Sequence, residues 1–225
     1  EPLHDVARNL ERWVDAVVIR TFAQKRLSIF TESAPALRIV NALSDEEHPC
    51  QALADMQTLQ ERWGSVAGRT ITFVGDGNNV ATSLVHAGLM LGAHMRIATP
   101  KGYALPAEAL EGLERIAQHG ATFKQYVDVK DAVKGADAIY TDVWTSMGQE
   151  VEYAERTKIF TRYQVNEALM ARANPDAIFM HCLPAHRGQE VTDEVIESPA
   201  SVVFDQAENR LHAQKAMLVT LFNGG

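Results

Sequence analysis

Several short stretches of this sequence set reactive or ligand-gripping side chains directly behind apolar runs. Arg20-Thr21 closes the run 14–20, and Gly75-Asp-Gly-Asn-Asn79 follows 70–74. Asp142, with Ser146 and Met147 just beyond, follows 138–141, and His181-Cys-Leu-Pro184 follows 178–180. In a parallel α/β sheet the carboxyl ends of strands border the ligand crevice, so these residues converge on one edge. His48-Pro-Cys-Gln51 places an imidazole and an amide at a helix start. Free N–H groups and the helix dipole there suit polarising a carbonyl, although a simple cap with a core cysteine at Cys50 fits the spacing equally well. Asn79 follows a tight glycine turn at another helix start, where its amide could hold a carboxylate. Asp142 could anchor an ammonium group or simply face solvent. Arg210, in Ala207-Glu-Asn-Arg210, could take a phosphate by a bidentate pair or bridge to Glu208.

Cys182 admits three readings: a buried strand-end thiol, a zinc ligand beside His181 and His186, or a thiolate activated by His181, His186 and Arg187. Zinc is the weakest, because no paired C-x₂₋₄-C spacing exists in the chain. Gly75-Asp-Gly-Asn-Asn79 also invites a dinucleotide reading. However, the third glycine of G-x-G-x-x-G is Val80, and the next strand ends in Ala98-Thr99-Pro100 where a ribose-binding acid belongs. A nicotinamide cofactor is therefore set aside.

The elements that must position these residues follow from periodicity. Strands are expected near 14–20, 37–40, 70–75, 95–99, 122–126, 138–141, 178–181 and 202–204, with helices near 49–63, 79–91, 106–119, 165–173 and 205–222. This alternation is the mark of parallel βαβ units, an α/β fold with a parallel sheet flanked by helices. Pro49 and Pro106 suit first helical turns, where a missing N–H costs nothing. Character changes at 41–47, a polar stretch before Pro49. Residues 1–47 hold too few elements for an independent core and read as part of a second, incomplete α/β domain. Residues 48–204 read as the main α/β domain, and 205–225 as a terminal helix packing back on the first.

Composition removes whole classes of function. The chain has 225 residues, 46% apolar and 22% charged, enough for real cores and unlike disorder or a coiled coil. No stretch approaches the ~18 uncharged apolar residues of a membrane helix, and the amino end lacks the features of a signal peptide. A formal net charge of −8 argues against a nucleic-acid partner while leaving room for a local basic pocket. Two distant cysteines favour reduced thiols in a cytoplasmic setting.

In order and approximate spacing, His48-Pro-Cys-Gln-Ala-Leu-Ala-Asp55, Gly75-Asp-Gly-Asn-Asn79, Asp142-Val-Trp-Thr-Ser-Met-Gly148, His181-Cys-Leu-Pro184 and Ala207-Glu-Asn-Arg210 resemble the motifs of the ornithine carbamoyltransferases. The resemblance runs over essentially the whole chain and makes the main domain the ornithine-binding one. It implies carbamoyl transfer from carbamoyl phosphate to the δ-amine of L-ornithine, giving citrulline and phosphate without a cofactor or metal, in a trimer-based homo-oligomer. By matching positions, Arg20, His48, Gln51 and Arg210 would hold carbamoyl phosphate, with Cys182 and Leu183 lining the path of the amine beside it. Asn79, Asp142, Ser146 and Met147 would hold ornithine, and Asp142, Cys182, His48 and Arg20 would act in the chemistry. Members of the family begin with a Ser-x-Arg-Thr loop that this sequence lacks, so residues 1 to about 47 are expected to be the back half of a carbamoyl-phosphate domain, with little activity in the chain alone. The alternatives are a non-catalytic amino-acid-binding or regulatory module, and a transcarbamylase for another amine such as putrescine.

Overall fold

In the computed structural model, which describes residues 1–145 and 150–223, the chain opens with two helix–strand units. Helix α1 (Leu3–Glu11) leads into β1 (Ala16–Arg20), and α2 (Lys25–Ser33) into β2 (Arg38–Leu43). The strands pair in parallel, Ala16 beside Arg38. The two helices cover one face, closing a small core of Ala7, Phe30, Ala34 and Leu37. On the other face Val18 and Phe22 stay exposed, at 59% and 66%.

Helix α3 (Pro49–Trp63) carries proline in its first turn, as expected, and ends at Gly64, whose φ of 74° only glycine adopts readily. After it come β3 (Thr70–Val74), α4 (Asn79–Met90) and β4 (His94–Ala98). The short helices α5 (Ala107–Leu110) and α6 (Leu113–Ile116) precede β5 (Phe123–Tyr126). Then follow α7 (Val129–Val133), β6 (Ala138–Thr141), α8 (Tyr153–Phe160), α9 (Glu167–Met170), β7 (Ile178–His181), α10 (Asp193–Ile196) and the long α11 (Val203–Asn223). Strands β3 to β7 form one parallel sheet in the order β5-β4-β3-β6-β7. The chain moves outward from β3 in one direction and then in the other, so β3 and β6 flank a topological switch point, where this class of sheet opens a crevice.

Helices cover both faces, and every residue of β6 and β7 is buried, which explains why these strands are continuous apolar runs without alternation. One face packs Leu59, Phe73, Leu84, Met95 and Tyr140; the other packs Val74, Ile139, Phe179 and Val191. Helix α11 runs back along α3, and its far end reaches β2. There Arg38 Nε donates to the Leu221 carbonyl at 2.9 Å and the guanidinium lies 5.0 Å over the Phe222 ring.

Three sequence expectations need correcting. The helix expected over 106–119 is broken where Glu111 is extended and Gly112 is left-handed (φ 72°), leaving two single turns. The strand expected at 202–204 amounts to one bridge between Phe179 and Ser201, after which Val203 starts α11; a three-residue apolar run cannot distinguish a strand from a buried helix start. The helix expected over 165–173 shrinks to α9, because Val165 bridges to Val191 instead. Helices α7, α8 and α10 have no counterpart in the periodicity reading. Among the described residues no helix is long and apolar enough to cross a membrane.

Candidate active site

The carboxyl ends of β3, β6 and β7 and the amino terminus of α3 open onto one cleft of about 680 Å³. Arg20, His48, Gln51, Asn79, Asp142, Cys182, Leu183 and Arg210 all line it. Ser146 and Met147, the other two ornithine-binding expectations, lie outside the described residues.

One wall is basic and belongs to β1, α3 and α11. Arg210 donates from Nη1 to Gln51 Oε1 at 2.6 Å and from Nε to Gln214 at 2.8 Å. The alternative bridge from Arg210 to Glu208 does not form; Glu208 meets His212 at 3.3 Å. Gln51 Nε2 donates to Asp55 Oδ1 at 2.8 Å, and Gln206 Nε2 donates to the same oxygen at 2.7 Å. Gln51 is thereby held with its carbonyl toward Arg210. Burial raises the Asp55 carboxyl to about 7, against the lowering effect of its hydrogen-bond donors and of Arg210.

His48 occupies the cap position of α3 but caps nothing with its side chain, and its buried Nδ1 has no partner among the described residues. Its backbone N–H donates to Ser83 Oγ at 2.8 Å. Burial, then Arg210 and Arg20, lower the ring to about 4, with Asp142 opposing. The imidazole is therefore neutral at physiological pH, able to donate to a carbonyl oxygen without carrying charge.

The opposite wall is acidic and amide-rich. Asn78 caps α4 by accepting from Ala81 N–H at 3.0 Å and donates Nδ2 to Asp142 Oδ2 at 2.8 Å. Asn79 lies in the cleft, yet its amide donates to the Ser44 carbonyl at 2.6 Å, tying α4 to the loop after β2. The side-chain amide aimed at Asp142 thus belongs to Asn78, which lay inside the Gly-Asp-Gly-Asn-Asn motif without being singled out. Asp142 Oδ1 accepts from Val143 N–H at 2.8 Å and from the Cys182 thiol at 3.1 Å.

The activated-thiolate reading of Cys182 is overturned. Burial and the Asp142 carboxylate push its thiol well above the usual range. Of the groups expected to lower it, Arg187 and His181 are engaged elsewhere. Arg187 bridges Asp193 at 2.8 Å and Glu197 at 2.5 Å, and His181 accepts the Leu183 N–H on Nδ1 at 2.8 Å while Nε2 faces Glu190 at 3.3 Å. Asp142, His181 and Cys182 do bring ligand atoms within 4.8 Å of one another, but the Nδ1 lone pair of the ring is already taken. Leu183 has φ 55°, a left-handed conformation costing ~1–3 kcal/mol that the His181 hydrogen bond helps hold.

Sequence reasoning missed the base of the cleft. A Cβ on Gly77 would lie 2.5 Å from the backbone of Ala104 and Leu105, so only glycine lets the turn after β3 meet the segment carrying Tyr103. Asp76 forms a buried ion pair with Arg156, whose Nε donates to the Trp144 carbonyl at 2.6 Å. The Arg156 guanidinium lies 4.9 Å over Tyr103 and 5.2 Å over Phe160. Asp76 sits within a recognised motif; Arg156 lies in a polar helix that nothing in the sequence marks.

Comparison with known proteins agrees along the whole chain. Residues 67–221 match the family model described as aspartate/ornithine carbamoyltransferase, Asp/Orn binding domain. Residues 1–61 match its carbamoyl-P binding domain counterpart. The chain is 53% identical over 225 residues to an ornithine carbamoyltransferase of Thermococcus kodakarensis, covering 100% of this chain and 71% of that protein. It is 55% identical over 223 residues to one of Rhodococcus jostii, covering 98% and 70% respectively. Among solved structures, the ornithine carbamoyltransferase of Pyrococcus furiosus superposes with a TM-score of 0.93 at 52% identity, covering 97% of this chain and 70% of that one.

Proposed function

This chain belongs to the aspartate/ornithine carbamoyltransferase family, and from that premise we propose that it transfers the carbamoyl group of carbamoyl phosphate to the δ-amine of L-ornithine. The observation that carries the proposal is the pairing of walls across one cleft: Arg20, Arg210 and His48 face Asp142 and Asn78. Guanidinium groups suit a phosphate, an uncharged imidazole suits a carbonyl oxygen, and a carboxylate beside an amide suits the α-amino acid end of the second substrate.

The chemistry assigned to these residues is positioning and charge stabilisation. Arg20 and Arg210 hold the phosphate, and Gln51 orients the carbamoyl amide. His48, uncharged, and Arg20 donate to the carbonyl oxygen as negative charge grows on it. The unprotonated amine attacks the carbonyl carbon, forming the new C–N bond. The C–O bond to phosphate then breaks with its electron pair, and the surplus amine proton leaves with the phosphate. Asp142 holds the α-ammonium group, and Cys182 stays a thiol donating to it. Ser146 and Met147 are assigned to the same substrate by motif position, and Asn79 by its place in the cleft. A homo-oligomer built on trimers and a cytoplasmic setting complete the reading.

The test is a citrulline assay on the chain with labelled carbamoyl phosphate against L-ornithine, L-aspartate and putrescine. Turnover with ornithine alone supports the proposal. Turnover with aspartate or putrescine instead, or ornithine binding indifferent to carbamoyl phosphate and without product, overturns it.

A further inference from the structure

His86, on the inner side of α4, places Nδ1 at 3.0 Å from Glu47 Oε1 and Nε2 at 2.9 Å from the Ala109 carbonyl. A carboxylate and a carbonyl are both acceptors, so both contacts are hydrogen bonds at once only while the ring carries both protons, which raises its affinity for the second proton. The other oxygen of Glu47 accepts a hydrogen bond from the Ser83 hydroxyl, and Ser83 Oγ in turn accepts the His48 backbone N–H at 2.8 Å. A line of hydrogen bonds therefore runs from Ala109 through His86, Glu47 and Ser83 to the backbone of the residue that faces the carbonyl site. Glu47 is also fixed through its backbone: its N–H meets Ser44 Oγ at 3.1 Å, and its carbonyl accepts from Ser44 N–H at 2.8 Å.

His48 needs such support. Among the described residues no side-chain hydrogen bond orients its ring, and its backbone (φ −130°, ψ 62°) lies outside the helix it precedes. What aims the imidazole is the placement of its own peptide, which the Ser83 hydroxyl grips. We infer that Glu47, Ser83 and His86 are positioning residues that set His48 against the carbamoyl carbonyl, a role that rests on the carbamoyl-transfer reading. None of the three lines the cleft. Nor do the two imidazoles answer to the same groups. The Glu47 carboxylate and the Ala109 carbonyl act on His86 and raise it; Arg210, Arg20 and Asp142 act on His48.

The first arm of the test is NMR on the whole chain. The His86 ring is expected to titrate above 6.5, and the His48 backbone amide to shift with the same midpoint. In H86L that pH dependence disappears, and in S83A the His48 amide exchanges with solvent about tenfold faster. The second arm is steady-state kinetics. H86L and S83A each lower kcat about tenfold while KM for ornithine stays within about twofold, as expected for a misaimed transition-state donor. H86R, whose guanidinium can donate to both Glu47 and Ala109, restores most of kcat. A His48 amide indifferent to the His86 titration, or unchanged kcat in both variants, overturns the inference. Amide coupling in a chain that makes no citrulline instead overturns the reaction reading and leaves the relay onto His48 in place.

Discussion

At the scale of single residues, burial decides which side chains carry charge. His48 is lowered to about 4 and Asp55 raised to about 7, chiefly by loss of water. Cys182 was legible in the sequence as a strand-end residue of the site. Its protonation state was not, because that depends on burial and on Asp142, forty positions away, at 3.1 Å. The thiol is therefore expected to react with iodoacetamide at pH 7.5 more slowly than a free cysteine. Asp142→Asn removes the adjacent negative charge and should raise the rate about tenfold or more; equal rates in the two proteins, followed by mass spectrometry, would contradict the assignment. Asp55 makes a second prediction. Its folded-state value lies above the ordinary 3.8, so its stabilising contribution is complete below that pH and is lost as pH rises through about 7. His86, raised by Glu47, has the same sign in a window beginning at 6.5. Below 6.5 the lowered His48 opposes this by favouring the folded state as pH rises, so Tm should fall between pH 6.5 and pH 8, and Asp55→Asn should flatten the fall. A Tm that rises over that interval, or an undiminished slope in the variant, counts against this account.

At the scale of elements, the strands under both helix layers were legible because a doubly covered parallel strand is an uninterrupted apolar run. β6 and β7 match their expected bounds, 138–141 and 178–181, and α3 its expected 49–63. The region from α5 to β5 was less so. Its apolar residues keep a helical spacing, but Gly112 in the left-handed region turns the chain between two short helices, a tertiary choice invisible to periodicity. The turn after β3 was legible as a glycine motif but not in its reason. Gly77 is required by a close approach of backbones and carries a negative φ, so what excludes a side chain is space. Gly77→Ala should cost about 1–3 kcal/mol in urea unfolding, because a methyl group 2.5 Å from Ala104 and Leu105 forces backbone apart. It should also weaken ornithine turnover more than Gly102→Ala, where the added Cβ meets nothing and the strain is confined to a left-handed φ of 89°. Equal turnover losses in the two variants would show that close approach is not what matters.

At the scale of the molecule, the cleft is made by parts remote in sequence, and buried polar links set their distance. Asn79 reaches Ser44 across 35 positions, Arg210 reaches Gln51 across 159, and Gln206 reaches Asp55 across 151. The first unit contributes Arg20 and the loop after β2, and α11 returns to lay Arg210 beside them, so the basic wall exists only once both ends of the chain are folded together. The acidic wall has its own tie, the buried pair of Asp76 and Arg156, which joins the turn after β3 to α8 and, through the Trp144 carbonyl, to the segment after β6. The pair is nearly free of water, so neither charge can be removed alone without stranding the other. Arg156→Met should therefore destabilise by about 3–5 kcal/mol, whereas Asp76→Asn combined with Arg156→Met should recover much of that loss. A double-mutant cycle in urea measures the coupling directly. If the two single losses simply add, the pair acts as two independent surface charges and the tie between the β3 turn and α8 must come from the packing of Tyr103, Trp144 and Phe160 instead.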